Sequence, residues 1–209
     1  MSPRTPETAA PLIPPRPTLS SLRAAAAGCT ACPLHLSGTQ TVFGDGPRKA
    51  DLMLVGEQPG DKEDLAGEPF VGPAGKLLDR ALDEAGIDRR NVYITNVVKH
   101  FKWEGRGKRR IHKKPNLSEI RACKPWLESE IAVVKPKVLA CLGATAAQAL
   151  LGKDFRVSRQ RGEFVDSDLA VVATATVHPS SILRARDSET REAEFQGLIA
   201  DLKLIAERL

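Results

Sequence analysis

Four apolar runs separated by helical patterns constrain the fold of this 209-residue chain more than any other feature. The runs are DLMLVGE, NVYITNVV, KVLACLG and LAVVATATVH, and their length and composition are typical of buried strands. The helical patterns between and after them are PAGKLLDRALDEAG, NLSEIRACKPWLESEIAVV, ATAAQALLG and ETREAEFQGLIADLKLIAERL. Because such alternation builds parallel sheets with helices on both faces, we predict the α/β class: a three-layer α/β/α sandwich with a central, mostly parallel four-stranded sheet.

The length of the chain suits one domain with its own core. Its first 19 residues contain six prolines and no hydrophobic period, which predicts a disordered tail over 1–19 and a single domain over 20–209. A short helix is expected from Ser20 to Gly28. No stretch reaches the roughly 20 apolar residues that span a bilayer, and the N-terminus lacks the layout of a secretory signal. The expectation is therefore a cytoplasmic monomer without membrane association or a protein partner.

The four cysteines are too few for a disulfide scaffold in a chain of this length. A CxxC pair and two distant cysteines, in a reducing compartment, are typical of four thiolates on one metal centre. The alternative is that the two distant cysteines are small buried apolar side chains. Spacing alone does not separate zinc from an iron–sulfur cluster. The candidate ligands are Cys29, Cys32, Cys123 and Cys141.

The most distinctive polar segments follow the predicted strands. GEQPGDKED follows the first strand, Asn96 lies late in the second, and HPSS follows the fourth. The loop GKRRIHKKP comes after the second strand and places His112 among five Lys and Arg residues, although the net charge is only +5. Since ligands of parallel sheets bind beyond the carboxyl ends of the strands, these segments are expected to meet at one rim. The GxxxxGK[ST] phosphate-binding pattern is absent, and Phe70 is either a lid over the core or a platform for a flat ligand.

Long ordered motifs give this chain a family resemblance from about Ser20 to the C-terminus. The segments GEQPGDKEDLAGEPFVGPAGKLLD, YITNVVKHFK, KRRIHK, CLGATAA and VHPSSILR, with the four cysteines, resemble the uracil-DNA glycosylase superfamily. They are most similar to UdgX, the iron–sulfur, family-4-like branch that bonds covalently to uracil-containing DNA. Gln58 stands where the general family-4 signature, closer to GEAPG, has alanine. The basic loop with its histidine is the second feature typical of UdgX.

The resemblance implies a site for a uracil base flipped out of DNA, with single strands preferred because flipping costs least there. Phe70 would stack on the base, Asn96 would read its edge, and Asp61 would complete the uracil pocket. His178 would donate to uracil O2 and stabilise the departing anion. Without the resemblance, Asn96 is explained as a turn former and His178 as an ordinary loop residue. The expected DNA contacts are Lys108, Arg109, Arg110, Lys113, Lys114 and Ser180.

The resemblance also implies that His112 takes the place of the hydrolytic water and attacks C1′ of the sugar. The surrounding cations are expected to lower its pKa from about 6.5 and keep the imidazole neutral and nucleophilic. Glu57 would accept its proton or balance the sugar cation, and Gln58 would orient the ring. Excision would then end in a permanent adduct after one turnover. The alternative is that His112 is one polar group on a solvated loop.

Three functions remain open at this point. The first is single-turnover capture of uracil-containing DNA in DNA repair, with a structural [4Fe-4S] cluster on the four cysteines. The second is a multiple-turnover uracil-DNA glycosylase of the same fold. The third is a metal-stabilised DNA-binding module that performs no chemistry.

Overall fold

The computed structural model describes residues 7–107 and 109–209. Its helices are α1 (Leu19–Ala26), α2 (Asp61–Ala66), α3 (Pro73–Glu84), α4 (Leu117–Val134), α5 (Ala144–Leu150), α6 (Val157–Gln160), α7 (Pro179–Leu183) and α8 (Ser188–Ala206). Its strands are β1 (Leu52–Gly56), β2 (Val92–Asn96), β3 (Trp103–Arg106), β4 (Arg109–His112), β5 (Val138–Leu142), β6 (Val165–Ser167) and β7 (Ala170–Thr176). Short 3-10 helices cover Ala10–Leu12, Pro33–Leu36 and Arg89–Asn91.

The central sheet has the strand order β2-β1-β5-β7-β6. All four predicted strands belong to it and run parallel, which confirms the predicted α/β class and mostly parallel sheet. The number of strands was wrong, because β6 adds a fifth strand antiparallel to β7 at the edge. Its sequence, VDS, is three residues long and mostly polar, so it carries none of the apolar signal that marks the other four.

Helices cover both faces of the sheet, as predicted. The alternating side chains of β1 show the two faces directly: Leu54 packs with the apolar side chains of α3 and α8, whereas Val55 packs with those of α1 and α4. Trp126 of α4 is the largest fully buried side chain on the second face. None of the helices in the described part of the chain is long and apolar enough to cross a bilayer.

The N-terminal segment is packed over part of the range predicted as a disordered tail. The buried Ala9 donates its N–H to the carbonyl oxygen of Ala122 in α4 at 2.8 Å. Thr18 caps α1, which begins one residue before the predicted start at Ser20. Prolines restrict the backbone without preventing such docking, so part of this proline-rich segment lies against the core. Residues 1–6 of the predicted tail lie outside the described residues.

The basic segment predicted as a loop is an antiparallel hairpin of β3 and β4. Trp103 pairs with His112 at its base, and Arg106 pairs with Arg109 near its tip. Lys108, one of the predicted DNA contacts, lies outside the described residues. His112 is therefore the last residue of a strand, where backbone pairing fixes its direction.

Candidate active site

A cavity of about 830 Å³ opens at the carboxyl ends of the parallel strands. Glu57 and Gln58 enter it directly after β1, Asn96 at the end of β2, and His178 just after β7. The β3–β4 hairpin places His112 across the same opening. The structure thus brings segments separated by more than 100 residues to one rim, because parallel strands end at the same edge. The other lining residues used below are Phe70, Lys114, Thr145, Ser180 and Arg184.

Asn96 lines this cavity and carries an unsatisfied acceptor. The residue is 2% exposed, and its Oδ1 has no hydrogen-bond partner among the described residues. A Cβ on Gly56 would lie 2.4 Å from this oxygen and 2.7 Å from Cζ of Phe70, so the close approach requires glycine. A buried acceptor without a donor costs about 1–3 kcal/mol. The site is therefore arranged for a ligand that brings an N–H donor.

Phe70 forms one wall of the cavity, which favours the predicted ligand platform over a lid on the core. Its backbone lies in the left-handed region, with φ at 57°, at a cost of about 1–3 kcal/mol for a residue with a side chain. A Cβ on Gly75 would lie 1.6 Å from the carbonyl oxygen of Phe70, so this turn also depends on glycine. The ring centroid lies 5.8 Å from that of His178, with the planes tilted by 32°. A flat ligand beside Phe70 would thus lie within reach of the imidazole.

The protonation state of His178 follows from its contacts. Its Nδ1 accepts from the backbone N–H of Ser180 at 3.1 Å and lies 2.8 Å from the hydroxyl of the same residue. Burial, with smaller contributions from Arg184 and His112, lowers the pKa of His178 to about 4. The ring is therefore neutral at pH 7, and its single proton is on Nε2. Ser180, predicted as a DNA contact, lines the cavity and also fixes this tautomer.

The depressed pKa of His178 predicts a loss of stability in acid. The unfolded chain binds this proton near pH 6.5 and the folded protein only near pH 4. We expect the free energy of unfolding to fall as the pH drops from about 6.5 to about 4, by about 1–3 kcal/mol after allowance for partial exposure. Urea unfolding at pH 7 and pH 4.5 measures this loss. His178→Asn should lose less than the wild type, and an equal loss would contradict the assignment.

His112 lies beside a carboxylate that is itself held in place. Its Nε2 is 3.3 Å from Oε1 of Glu57, and the Thr145 hydroxyl donates to Oε2 of the same carboxylate. Burial lowers the pKa of His112, Glu57 opposes this effect, and Arg184 adds to it. The pKa of His112 is lowered, as expected. The expected cause was wrong, because burial lowers this pKa more than the hairpin cations do. Thr145 and Arg184 were missed, since a threonine at a helix start and an arginine after a short helix are common structural residues.

Gln58 was expected to orient the ring of His112 through a hydrogen bond, but its hydrogen bonds go to the hairpin backbone instead. Its Nε2 donates to the carbonyl oxygens of Lys102 at 3.1 Å and Lys113 at 3.0 Å, and its Oε1 accepts from the N–H of Lys102 at 3.1 Å. The amide therefore clamps both strands at the base of the hairpin. The side-chain amide of Gln58 can donate to and accept from peptide groups at the same time. Gln58 therefore positions His112 by holding the hairpin backbone and not by bonding to its ring. Alanine at this position would leave those groups without a partner.

Arg110 and Asp61 occupy different positions from those expected. The Arg110 guanidinium donates to Asp61 and to the buried Asp64, at 2.6 Å in both cases. It also lies over the rings of Phe101 and Trp103, at 5.4 and 5.6 Å from their centroids. The proposed phosphate contact of Arg110 is therefore replaced by an internal tether, and Asp61 is part of this tether instead of lining the uracil pocket. A carboxylate and a guanidinium satisfy each other more strongly than a neutral base would satisfy either.

Three other predicted cationic contacts, Arg109, Lys113 and Lys114, are exposed. Arg109 is exposed on β4, and Lys114 lines the cavity. Lys113 lies 3.0 Å from Glu104 with half of its side chain exposed, a pairing that is weak in water. These three residues remain available to the phosphates of a bound strand.

Three of the four cysteines form a group, and Cys141 does not join it. Burial raises the pKa of the Cys123 thiol to about 12, and Cys29 and Cys32 contribute to this increase, so the three sulfurs are electrostatic neighbours. The pKa of Cys141 is raised by burial alone, and the residue lies within β5 opposite Ala175 of β7. In residues 7–107 and 109–209, no three His, Cys, Asp or Glu side chains are arranged to hold a metal ion. The predicted four-cysteine set is therefore not assembled, and Cys141 does not fit it.

The fold and the rim define the class of protein. The family model for the uracil DNA glycosylase superfamily matches residues 43–203, so the chain belongs to this superfamily. Within it, the chain is 41% identical over 171 residues to the type-4 uracil-DNA glycosylase of Thermotoga maritima, covering 81% of this chain and 85% of that one. It is 37% identical to the type-4 enzymes of Pyrobaculum aerophilum and Archaeoglobus fulgidus, over 82% and 81% of its length and 86% of each of theirs. These relatives agree with the predicted family-4-like character.

Proposed function

We propose that this chain removes uracil from DNA by cleaving the N-glycosidic bond. The observation that carries the proposal is the unsatisfied Oδ1 of Asn96, a buried residue that lines the same cavity as Phe70 and a neutral His178. The names of the type-4 relatives support the same activity. The partner is therefore uracil-containing DNA, with single strands favoured because less stacking is lost when the base flips out.

Different residues of the cavity recognise the base and assist the cleavage of the bond. Oδ1 of Asn96 accepts from N3–H of uracil and its Nδ2 donates to O4, whereas cytosine presents the reverse pattern and leaves both atoms unpaired. Phe70 stacks on the base, which contributes about 1–3 kcal/mol. The Nε2–H of His178 donates to O2 as negative charge develops on the departing base. Because His178 is already neutral and held by Ser180, this donor needs no rearrangement in the transition state.

The fate of the sugar separates the two enzymatic hypotheses. The type-4 names of the relatives give more support to hydrolysis with multiple turnover, in which water attacks C1′. The position of His112 favours covalent capture. In that reaction Glu57 accepts the Nε2 proton of His112, the lone pair that this frees on Nε2 bonds to C1′, and the C1′–N1 bond breaks with its electron pair leaving with uracil. The total charge is unchanged, because one carboxylate is protonated and one uracil anion is formed.

One experiment separates these outcomes. The protein is incubated with a uracil-containing single strand and run on a denaturing gel, with a cytosine-containing strand as the matched control. A heat-stable shifted band supports capture, and an alkali-labile abasic strand without a shift supports turnover. An intact strand with neither product would contradict glycosylase activity and leave a DNA-binding module.

The clamp formed by Gln58 gives a prediction for the capture reaction. We expect Gln58→Ala to slow adduct formation by about 10²-fold, because the hairpin base loosens and His112 is displaced by about 1 Å. Uracil release should change less, since Asn96 and His178 do not depend on the hairpin. Rapid-quench sampling of both products measures the two rates. Gln40→Ala is the matched control, because Gln40 bonds two carbonyls elsewhere, and equal losses in the two variants would contradict the clamp.

We also propose that binding of a structural iron–sulfur cluster draws Cys29, Cys32 and Cys123, which already interact electrostatically, together as its ligands in a monomeric protein. The three lie near α1 and α4, away from the rim, so the cluster would hold these segments together and takes no part in the reaction. Cys123→Ala is expected to remove iron and acid-labile sulfide from the purified protein, whereas Cys141→Ala is expected to retain both. Loss of the cluster from Cys141→Ala would restore Cys141 to the ligand set.

A further inference from the structure

A buried ion pair lies directly behind the proposed uracil-reading residue. Lys99 is 1% exposed and Glu130 is fully buried. The Lys99 ammonium donates to Oγ1 of Thr95 at 2.6 Å, to the main-chain oxygen of Asn96 at 2.8 Å, and to Glu130. All three of its hydrogens therefore have acceptors.

The carboxylate of Glu130 is saturated in the same way. It accepts from the N–H of Gly44 at 3.0 Å, the hydroxyl of Tyr93 at 2.9 Å and the hydroxyl of Thr95 at 3.0 Å. These bonds join α4 to β2 and to the segment before β1. The pair is thus a rigid, fully bonded unit.

Stability alone does not account for this arrangement. Transfer of two charges out of water costs several kcal/mol for each ion, and apolar side chains of similar volume often stabilise a core equally well. The Lys99 ammonium also donates to the main-chain oxygen of Asn96, so the pair holds the backbone of this residue. Beyond Asn96, Val97 and Val98 donate to the carbonyl oxygens of Gly56 and Glu57 at 2.9 and 3.0 Å. The backbone at the end of β2 is therefore held on every side.

We propose that Lys99 and Glu130 are positioning residues that aim the amide of Asn96 at the uracil edge. The inference rests on the proposed function. The ammonium fixes the carbonyl that follows the Asn96 side chain, and so fixes the direction in which Oδ1 points. Because a displacement of about 1 Å costs about 10²-fold in rate, a tether of this kind affects recognition directly. A second link runs from the N–H of Lys99 to Sγ of Cys123 at 3.2 Å, so α4 anchors this residue twice.

The test removes both charges together, so that neither is left buried alone. In the double variant Lys99→Met and Glu130→Gln, the glutamine oxygen still accepts from Gly44 and Tyr93. We expect a thermal midpoint near that of the wild type, an about 10²-fold slower release of uracil from a saturated single strand, and weaker competitive inhibition by free uracil. Affinity for a uracil-free strand should not change. A purely structural pair would leave the inhibition constant of free uracil unaltered.

The control variant is Ile131→Ala, which destabilises the same helix with both charges intact. It should lower the thermal midpoint while retaining wild-type inhibition by uracil. Wild-type release and inhibition in the double variant would overturn the proposal, whereas no release by the wild type would overturn the glycosylase function itself. If the double variant does not fold, Thr95→Val decides the question, because it removes one acceptor of the ammonium. Unchanged inhibition by uracil in Thr95→Val would also overturn the proposal.

Discussion

Replacement of His112 by alanine is expected to abolish the heat-stable protein–DNA band completely. The residue supplies the ring nitrogen that lies 3.3 Å from Glu57 within the cavity. Its removal leaves space for water beside the same carboxylate, which would still accept a proton. Uracil release should therefore continue and become catalytic, with an alkali-labile abasic strand as product. Denaturing gels of samples taken over several turnovers measure both effects.

Two further variants sharpen this result. Ile111→Ala changes the neighbouring side chain of the hairpin, which also lines the cavity, and should retain the band. His112→Ser places a smaller hydroxyl at the same point and should admit water and release uracil repeatedly. A shifted band that persists in His112→Ala would assign the nucleophile to another residue. Wild-type protein that forms no band and turns over would instead favour the hydrolytic hypothesis.

Replacement of His178 by alanine is expected to slow uracil release by about 10²–10³-fold. The lost group is the Nε2–H donor that faces O2 of the base, and its effect is largest when the base carries negative charge. Binding of the uracil-containing strand should change little, because Phe70 and Asn96 are unaffected. Single-turnover release at saturating protein gives the rate, and fluorescence anisotropy gives the affinity.

Ser180→Ala is the control for this second prediction. It removes the hydroxyl but retains the backbone N–H that bonds Nδ1 of His178 and fixes the tautomer. We expect a much smaller loss of rate than in His178→Ala. Equal rates for His178→Ala and the wild type would show that another group stabilises the departing base.

The parallel sheet and its rim were predictable because their signals are local and repeated. Each apolar run is long enough to be a buried strand, and the polar segments GEQPGDKED and HPSS each follow one closely. Strand β6 was not predicted, because its three mostly polar residues carry no strand signal of their own and pair only with β7. The β3–β4 hairpin was not predicted either, since its basic sequence carries little of the apolar alternation typical of a half-buried strand.

The sequence by itself determined the class of fold, the superfamily and the polar segments that meet at the rim, because these depend on periodicity and on motifs within single segments. Only the tertiary structure decided which partner each polar group takes. Gln58 meets Lys102, 44 residues away, and Arg110 meets Asp61, 49 residues away. Cys141 shares the chemistry of the other cysteines but lies within strand β5, opposite Ala175 of β7. A polar side chain bonds whichever complementary group lies about 3 Å away, and that distance is fixed by packing between segments remote in the chain.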